Sequence, residues 1–76
     1  MAMKSDHKSD DLILTKFGER LKEIRRQRKM SQIELSQRSG LHRNYISDAE
    51  RGRRNVSLKS IQLLAMGLDV SIKDLF

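Results

Sequence analysis

The stretch SQIELSQRSGLHRNYISDAER, residues 31–51, constrains this chain more than any other part of it. It shows no strand-length alternation, and a glycine, Gly40, breaks it in the middle. The first half opens with Ser31 and Glu34, the S-x-x-E spacing of a helix capping box, and Met30 and Leu35 are spaced for the accompanying hydrophobic staple. Ile33 and Ser36 are expected to continue the inward face of that helix. Gly40 can take the left-handed backbone conformation that ends a helix, and Leu41 follows as an apolar plug for the turn. In the second half Ile46 and Ala49 stand at i and i+3, so they share one side of a helix and call for burial. Arg43, Asn44, Ser47 and Arg51 fall on the opposite side. His42 occupies the N-cap position, where Ser or Asp would serve the helix better. The pattern predicts two short helices hinged at Gly40, the second with one apolar and one hydrogen-bonding face.

The flanking sequence supplies a scaffold for this pair. Phe17, Leu21, Ile24 and Arg28 form one stripe of an amphipathic helix over 12–29, whose basic residues crowd toward the C-terminal end, where cations suit the helix dipole. RGRRN at 51–55 breaks the period and reads as a loop. Ser57 is expected to cap a fourth helix with Leu58, Ile61, Leu64, Ala65 and Leu68 as its core stripe and Gly67 as its terminator. Ser71, with Asp74 three residues on, is expected to cap a fifth, SIKDLF. Residues 1–11, MAMKSDHKSDD, are polar, mixed in charge and aperiodic, and predict a flexible arm. The expected organisation is therefore an arm at 1–11 and one compact all-α domain of five helices at 12–76.

Charge points the domain toward a partner. Sixteen Lys and Arg against ten Asp and Glu give a formal net charge of +6, which in so short a chain favours a polyanion such as nucleic acid over a neutral ligand. A basic surface that serves only solubility is the plainer alternative. There is no cysteine, so disulfides, thiolate metal sites and cysteine nucleophiles are excluded, and a reducing cytoplasm is a natural setting. His7 has no neighbours with which to hold a metal, and no cofactor is expected. No run is long enough for a membrane span, and the first residues carry no signal-peptide core. Ser, His and Asp all occur, but His42 and Ser47 lie on a helix without an oxyanion turn, which argues against an enzyme.

Gln32, Gly40, Ile46, Ser47 and Glu50, spaced Q-x7-G-x5-I-S-x2-E, resemble the helix-turn-helix of phage-repressor-like (XRE-type) domains. The resemblance extends back to Arg25 and forward through LLAMGLDVSIKDLF, covering 14–76. Within it, R-x-Y-I-S-x-x-E-R-x-x-R-N, from Arg43 to Asn55, is similar to the controller proteins of restriction–modification systems. The resemblance implies a compact five-helix DNA-binding fold and a small dimeric regulator. Such a regulator binds operators upstream of its own gene and the endonuclease gene, activating at low occupancy and repressing at high.

Carried onto this sequence, the resemblance implies that Arg43 and Asn44 approach base edges in the major groove. Arginine suits O6 and N7 of guanine, and asparagine suits adenine. Ser47 is expected at a base or phosphate, and Arg54 is the loop arginine nearest to a base-reading role. Gln32, Tyr45, Arg51 and Arg53 are expected at phosphates, with Gln32 joining the free N–H groups of its helix. Asp48, close by but acidic, would reject wrong partners or hold Arg43 or Arg51. Arg25 and Glu50 stand where the family places an ion pair tying the first helix to the third, with Arg25 a phosphate contact as well.

One recognition helix reads few base pairs, so a two-fold homodimer on symmetric half-sites is expected, with Ile72, Leu75 and Phe76 at the interface, joined by Met66 and Val70. Closure of the monomer's own core is the alternative for those apolar residues. Activation would add RNA polymerase as a partner, with Glu34 and Asp48 as contact candidates. The competing functions are an antitoxin or phage-type repressor of the same fold and, from another class, a protein-interaction adaptor. The adaptor would favour acidic or apolar residues where Arg43, Asn44 and Arg51 stand.

Overall fold

A computed structural model describes the backbone of residues 6–76 and the side chains from Leu12 onward. Four α-helices and one 3-10 turn account for the regular structure of this region: α1 (Asp6–Gln27), α2 (Gln32–Ser39), α3 (Arg43–Glu50), α4 (Leu58–Leu68) and the turn Ile72–Leu75. The all-α expectation holds, but the fifth helix is a single turn closed by i→i+3 bonds, Asp74 N–H to Ser71 C=O and Phe76 N–H to Lys73 C=O. So short a segment cannot build an i→i+4 ladder and tightens into the 3-10 form.

α1 begins six residues before the expected boundary at 12. No glycine or proline interrupts 6–17, so nothing in this stretch breaks the helical backbone. The rest of the expected arm, 1–5, lies outside the described residues. At the other end Lys29 takes a left-handed φ of 54°, and Met30 N–H reaches back to Arg25 C=O at 3.1 Å, so the chain turns sharply into α2.

α2 starts and stops where its sequence signals stand. The Ser31 hydroxyl accepts from Glu34 N–H at 2.9 Å, and Met30 and Leu35 are both buried. The reciprocal half of the capping box is missing, because the Glu34 carboxylate turns to Arg38 of its own helix at 3.2 Å. Gly40 has φ 82°, and its N–H closes onto Ser36 C=O. Ile33 departs from expectation: at 56% exposed, it points away from the core.

The core gathers Phe17, Leu21 and Ile24 from α1, Met30 from the turn that follows it, Leu35 from α2, Ile46 and Ala49 from α3, Ile61, Leu64, Ala65 and Leu68 from α4, and Leu75. Leu41 and Val56 pack against its rim, as does Val70. Gly67 does not terminate α4. The helix runs one residue further and is capped by Asp69 at φ 61°, while Gly67 is buried where an added Cβ would lie 3.0 Å from Leu35 Cδ1. It lets α4 pack closely on α2. Leu58, placed on the core stripe by its spacing, is 85% exposed.

Leu75 is fully buried in its own chain, so it is not available to an intersubunit contact. Ile72 and Phe76 remain 46% and 71% exposed, with the Phe76 ring lying 5.5 Å from that of Phe17. Arg20 secures this end of the molecule through a 2.8 Å hydrogen bond from Nε to Asp74 C=O.

Candidate nucleic-acid interface

α3 is held by its buried face and offers the other. Ile46 and Ala49 are 0% and 1% exposed, as their spacing requires. Arg43 and Asn44, in the first turn, are exposed beside one another. His42 is the N-cap with extended φ and ψ, yet its side chain makes no capping bond, so nothing in the helix start explains the choice of histidine. Its ring helps line a shallow recess with Arg43, Asn44, Tyr45 and Arg54. A flat, open surface of exposed donors suits a macromolecule better than a small substrate.

The anchor behind this surface is a buried polar cluster. Arg25 and Glu50 form a two-pronged pair, Nε to Oε2 at 2.6 Å and a terminal guanidinium nitrogen to Oε1 at 3.0 Å. Their side chains are only 11% and 3% exposed. The other terminal nitrogen of Arg25 donates to Met30 C=O at 2.8 Å, which joins the α1–α2 turn to the pair. The expected ion pair is therefore present. With its guanidinium turned inward, Arg25 has no access to a phosphate, and its second expected role drops away.

Gln32 extends this cluster to the surface. Its Nε2 donates to Glu50 Oε1 at 3.0 Å while the residue stays half-exposed. One of its two amide donors is thus committed inward and the second is free to face outward. Ser47 is another departure. Only 8% exposed, it presents its hydroxyl to Arg51, whose guanidinium donates to it at 2.8 Å. It supports an arginine from within and is not placed to touch a base.

Beyond α3 the loop arginines are exposed, but they are not loose. Arg53 N–H donates to Asp48 C=O at 2.9 Å, which folds the loop back along α3. The Arg54 guanidinium lies 4.5 Å above the Tyr45 ring and 3.6 Å from the Asp48 carboxylate. The outer face of α3 and the loop after it therefore bring together Arg43, Asn44, Tyr45, Asp48 and Arg54, with Arg51 and Arg53 exposed beyond them. One contributor differs from the functional reading of the sequence and another has no counterpart in it. Asp48 is Arg54's partner, whereas the sequence suggested Arg43 or Arg51. Gly18 permits α1 to touch α3, since a Cβ there would meet Ala49 O at 2.4 Å and Glu50 O at 2.6 Å. A lone glycine inside a long helical pattern was the available signal for it.

Two short helices hinged by a left-handed glycine, with the second displaying arginine and asparagine from a firmly anchored face, define a helix-turn-helix DNA-binding module. The chain belongs to the helix-turn-helix family, whose model matches residues 21–75. It is 48% identical over 60 residues to the control protein C.BamHI of Bacillus amyloliquefaciens, covering 78% of this chain and 74% of that one. It is 35% identical over 65 residues to the control protein C.MunI of a Mycoplasma species, covering 84% and 88%. Among solved structures, the restriction-modification controller protein C.AhdI of Aeromonas hydrophila superposes with a TM-score of 0.84 at 48% identity, covering 86% of this chain and 98% of the other. The chain is a DNA-binding regulator of this family. Among the described residues, no helix is long and apolar enough to cross a membrane.

Proposed function

We propose that this regulator is the controller of a restriction–modification system, acting as a homodimer in the cytoplasm on a two-fold symmetric operator, where it activates at low occupancy and represses at high. It performs no catalysis in this reading. The observation that carries the reading is the pairing of exposed Arg43 and Asn44 at the start of α3 with the Arg25–Glu50 anchor at its end. A reading helix discriminates only if its angle to the DNA is fixed, and the two-pronged pair fixes it. Arg43 and Asn44 read base edges, and Arg54 completes the reading from the loop. Tyr45, Arg51, Arg53 and the outward N–H of Gln32 hold phosphates. Half-sites then lie about 34–36 Å apart, one helical turn.

Selection of bound duplexes from a random pool yields the operator, and two variants then test the division of labour. Arg43→Ala is expected to cost about 1–3 kcal/mol on the selected site and to relax preference at one base position. Arg53→Ala is expected to weaken all duplexes alike and to flatten the salt dependence by about one phosphate contact. Identical behaviour of the two across a panel of duplexes would remove the distinction between reader and clamp.

For the dimer, the support is an apolar surface on the side formed by α4 and the C-terminal turn. Leu58, Ile72 and Phe76 are exposed there around a shallow recess that Ile61 also lines. Apolar side chains gathered in this way favour a protein partner over solvent, and a second copy satisfies the symmetry of the operator. Leu58→Asp is expected to give monomers in sedimentation velocity with the helical circular dichroism intact. A dimer of unchanged strength would place the contact elsewhere. Association with RNA polymerase belongs to the same proposal and is tested by transcription in vitro from the selected operator at increasing protein.

A further inference from the structure

We propose that Asp48 is a specificity-determining residue that acts through Arg54, keeping this arginine off the phosphates of random DNA so that it engages only at the correct site. The inference rests on the DNA-binding reading and deepens it. Asp48 lies on the outward part of α3 and is half-exposed, one turn after Asn44 and three residues before Arg51. A carboxylate on a surface that approaches a polyanion opposes binding, unless its charge is used for something else. Here it is used: the Asp48 carboxylate stands 3.6 Å from a terminal nitrogen of Arg54, and the same guanidinium lies over the Tyr45 ring, its carbon 4.5 Å from the ring centroid. The backbone reinforces the arrangement, since Asp48 C=O accepts from Arg53 N–H and brings the loop alongside the helix.

The arrangement holds the Arg54 guanidinium over Tyr45 and beside Asp48, both residues of α3. In this pose Asp48 offsets part of the arginine's charge across 3.6 Å, and the Tyr45 ring covers one side of the guanidinium. On random duplexes the arginine gains one phosphate by leaving Asp48, and the stranded carboxylate then faces the DNA backbone. The exchange yields little. At the proper site a base edge supplies a bidentate partner that a phosphate cannot match in discrimination, and the exchange becomes favourable. Asp48 thus lowers random binding more than selected binding.

The test is a double-mutant cycle on Asp48 and Arg54, with a scrambled-sequence duplex and the selected duplex as the two probes. Asp48→Asn is nearly isosteric and keeps the helix surface polar. It is expected to raise affinity for the scrambled duplex by about two- to five-fold, the ceiling set by releasing an exposed pair. It is also expected to steepen the log–log salt slope on that duplex by about 0.9, one extra phosphate contact. The ratio of selected to scrambled affinity falls. In an Arg54→Ala background, Asp48→Asn is expected to change neither the slope nor the ratio. If Asp48→Asn raises affinity equally with and without Arg54, the carboxylate acts only as a general negative charge and the proposal fails. If it leaves the scrambled-duplex affinity and slope unchanged in the wild-type background, the proposal fails as well. Absence of salt-dependent binding by the unmodified protein to either duplex would instead overturn the DNA-binding reading, so the two failures are distinguishable.

Discussion

Glu50→Ala is expected to cost about 3–5 kcal/mol of folding stability, a large share of what a domain of this size possesses. The loss arises from the charge left behind, more than from the carboxylate removed. Arg25 is 9% exposed, and its guanidinium is held among α1, the α1–α2 turn and α3. Without Glu50 its remaining protein acceptor is Met30 C=O, and a cation with so little access to water loses two charge-assisted hydrogen bonds together. Thermal unfolding followed by circular dichroism is expected to show a drop in Tm on the order of 20 °C. Gln32→Ala, which removes one hydrogen bond to the same carboxylate, is expected to cost only about 1 kcal/mol. The double change Arg25→Met with Glu50→Leu removes both charges, and it is expected to recover most of the stability lost by Glu50→Ala. A Glu50→Ala protein that melts within a few degrees of the parent would show that the pair does not anchor α3.

The fold was legible wherever a local rule and the tertiary packing asked for the same residue. Ser31, Gly40 and Ser57 mark helix ends in the sequence and in the structure, because capping is a contact within a few residues and needs no knowledge of the rest of the chain. Gly67 misled for the opposite reason. Near the end of a helical period it reads as a terminator, yet its purpose is long-range, to admit the Leu35 and Ser39 side of α2. Leu58 and Leu75 exchanged expected places on the same ground. The period assigned Leu58 to the core, but it is the first residue of α4 and projects beyond the packed layer. Leu75 was assigned to an interface and instead closes the monomer's own core.

At the site, periodicity separated inward from outward residues on α3 but could not show how far inward the boundary falls. Ser47 lies next to Ile46 and is drawn below the surface, where it has become a support for Arg51. For Arg25 the family resemblance named Glu50 as the partner, whereas side-chain chemistry identified Gln32 as a hydrogen-bonding residue without saying toward what. Both turn to Glu50, because a buried carboxylate must fill its acceptor positions from whatever donors lie within reach. The pairing of Arg54 with Asp48 and Tyr45 depends on how the loop folds back along α3, which the sequence of a loop leaves open.

Gly18→Ala is expected to disturb DNA binding more than its size suggests. By helix propensity alone the change favours α1 by about 1 kcal/mol. Against this stands the space available: the new Cβ would lie 2.4 Å from Ala49 O, 2.6 Å from Glu50 O and 2.8 Å from Glu50 C. All three are backbone atoms, so no side chain can swing aside, and α1 and the end of α3 must separate. The strain is expected to cost about 1–3 kcal/mol beyond the propensity gain. Gly18 lies two turns before Arg25 on the same face of α1, so α3 is gripped at two points, by close approach at one and by the ion pair at the other. Prising it away at Gly18 tilts the helix about the Arg25–Glu50 pair and carries Arg43 and Asn44, at its far end, out of register with the bases. With two bidentate readers each contributing about 1–3 kcal/mol of discrimination, affinity for the selected duplex is expected to fall on the order of 100-fold, whereas affinity for the scrambled duplex, which depends on phosphates, falls far less. Gly40→Ala provides the comparison. No atom lies within 4 Å of its would-be Cβ, so that variant bears only the cost of a left-handed φ, about 1–2 kcal/mol, and is expected to keep its ratio of selected to scrambled affinity. If Gly18→Ala retains that ratio too, the closeness of α1 to α3 stabilises the fold without aiming the recognition helix.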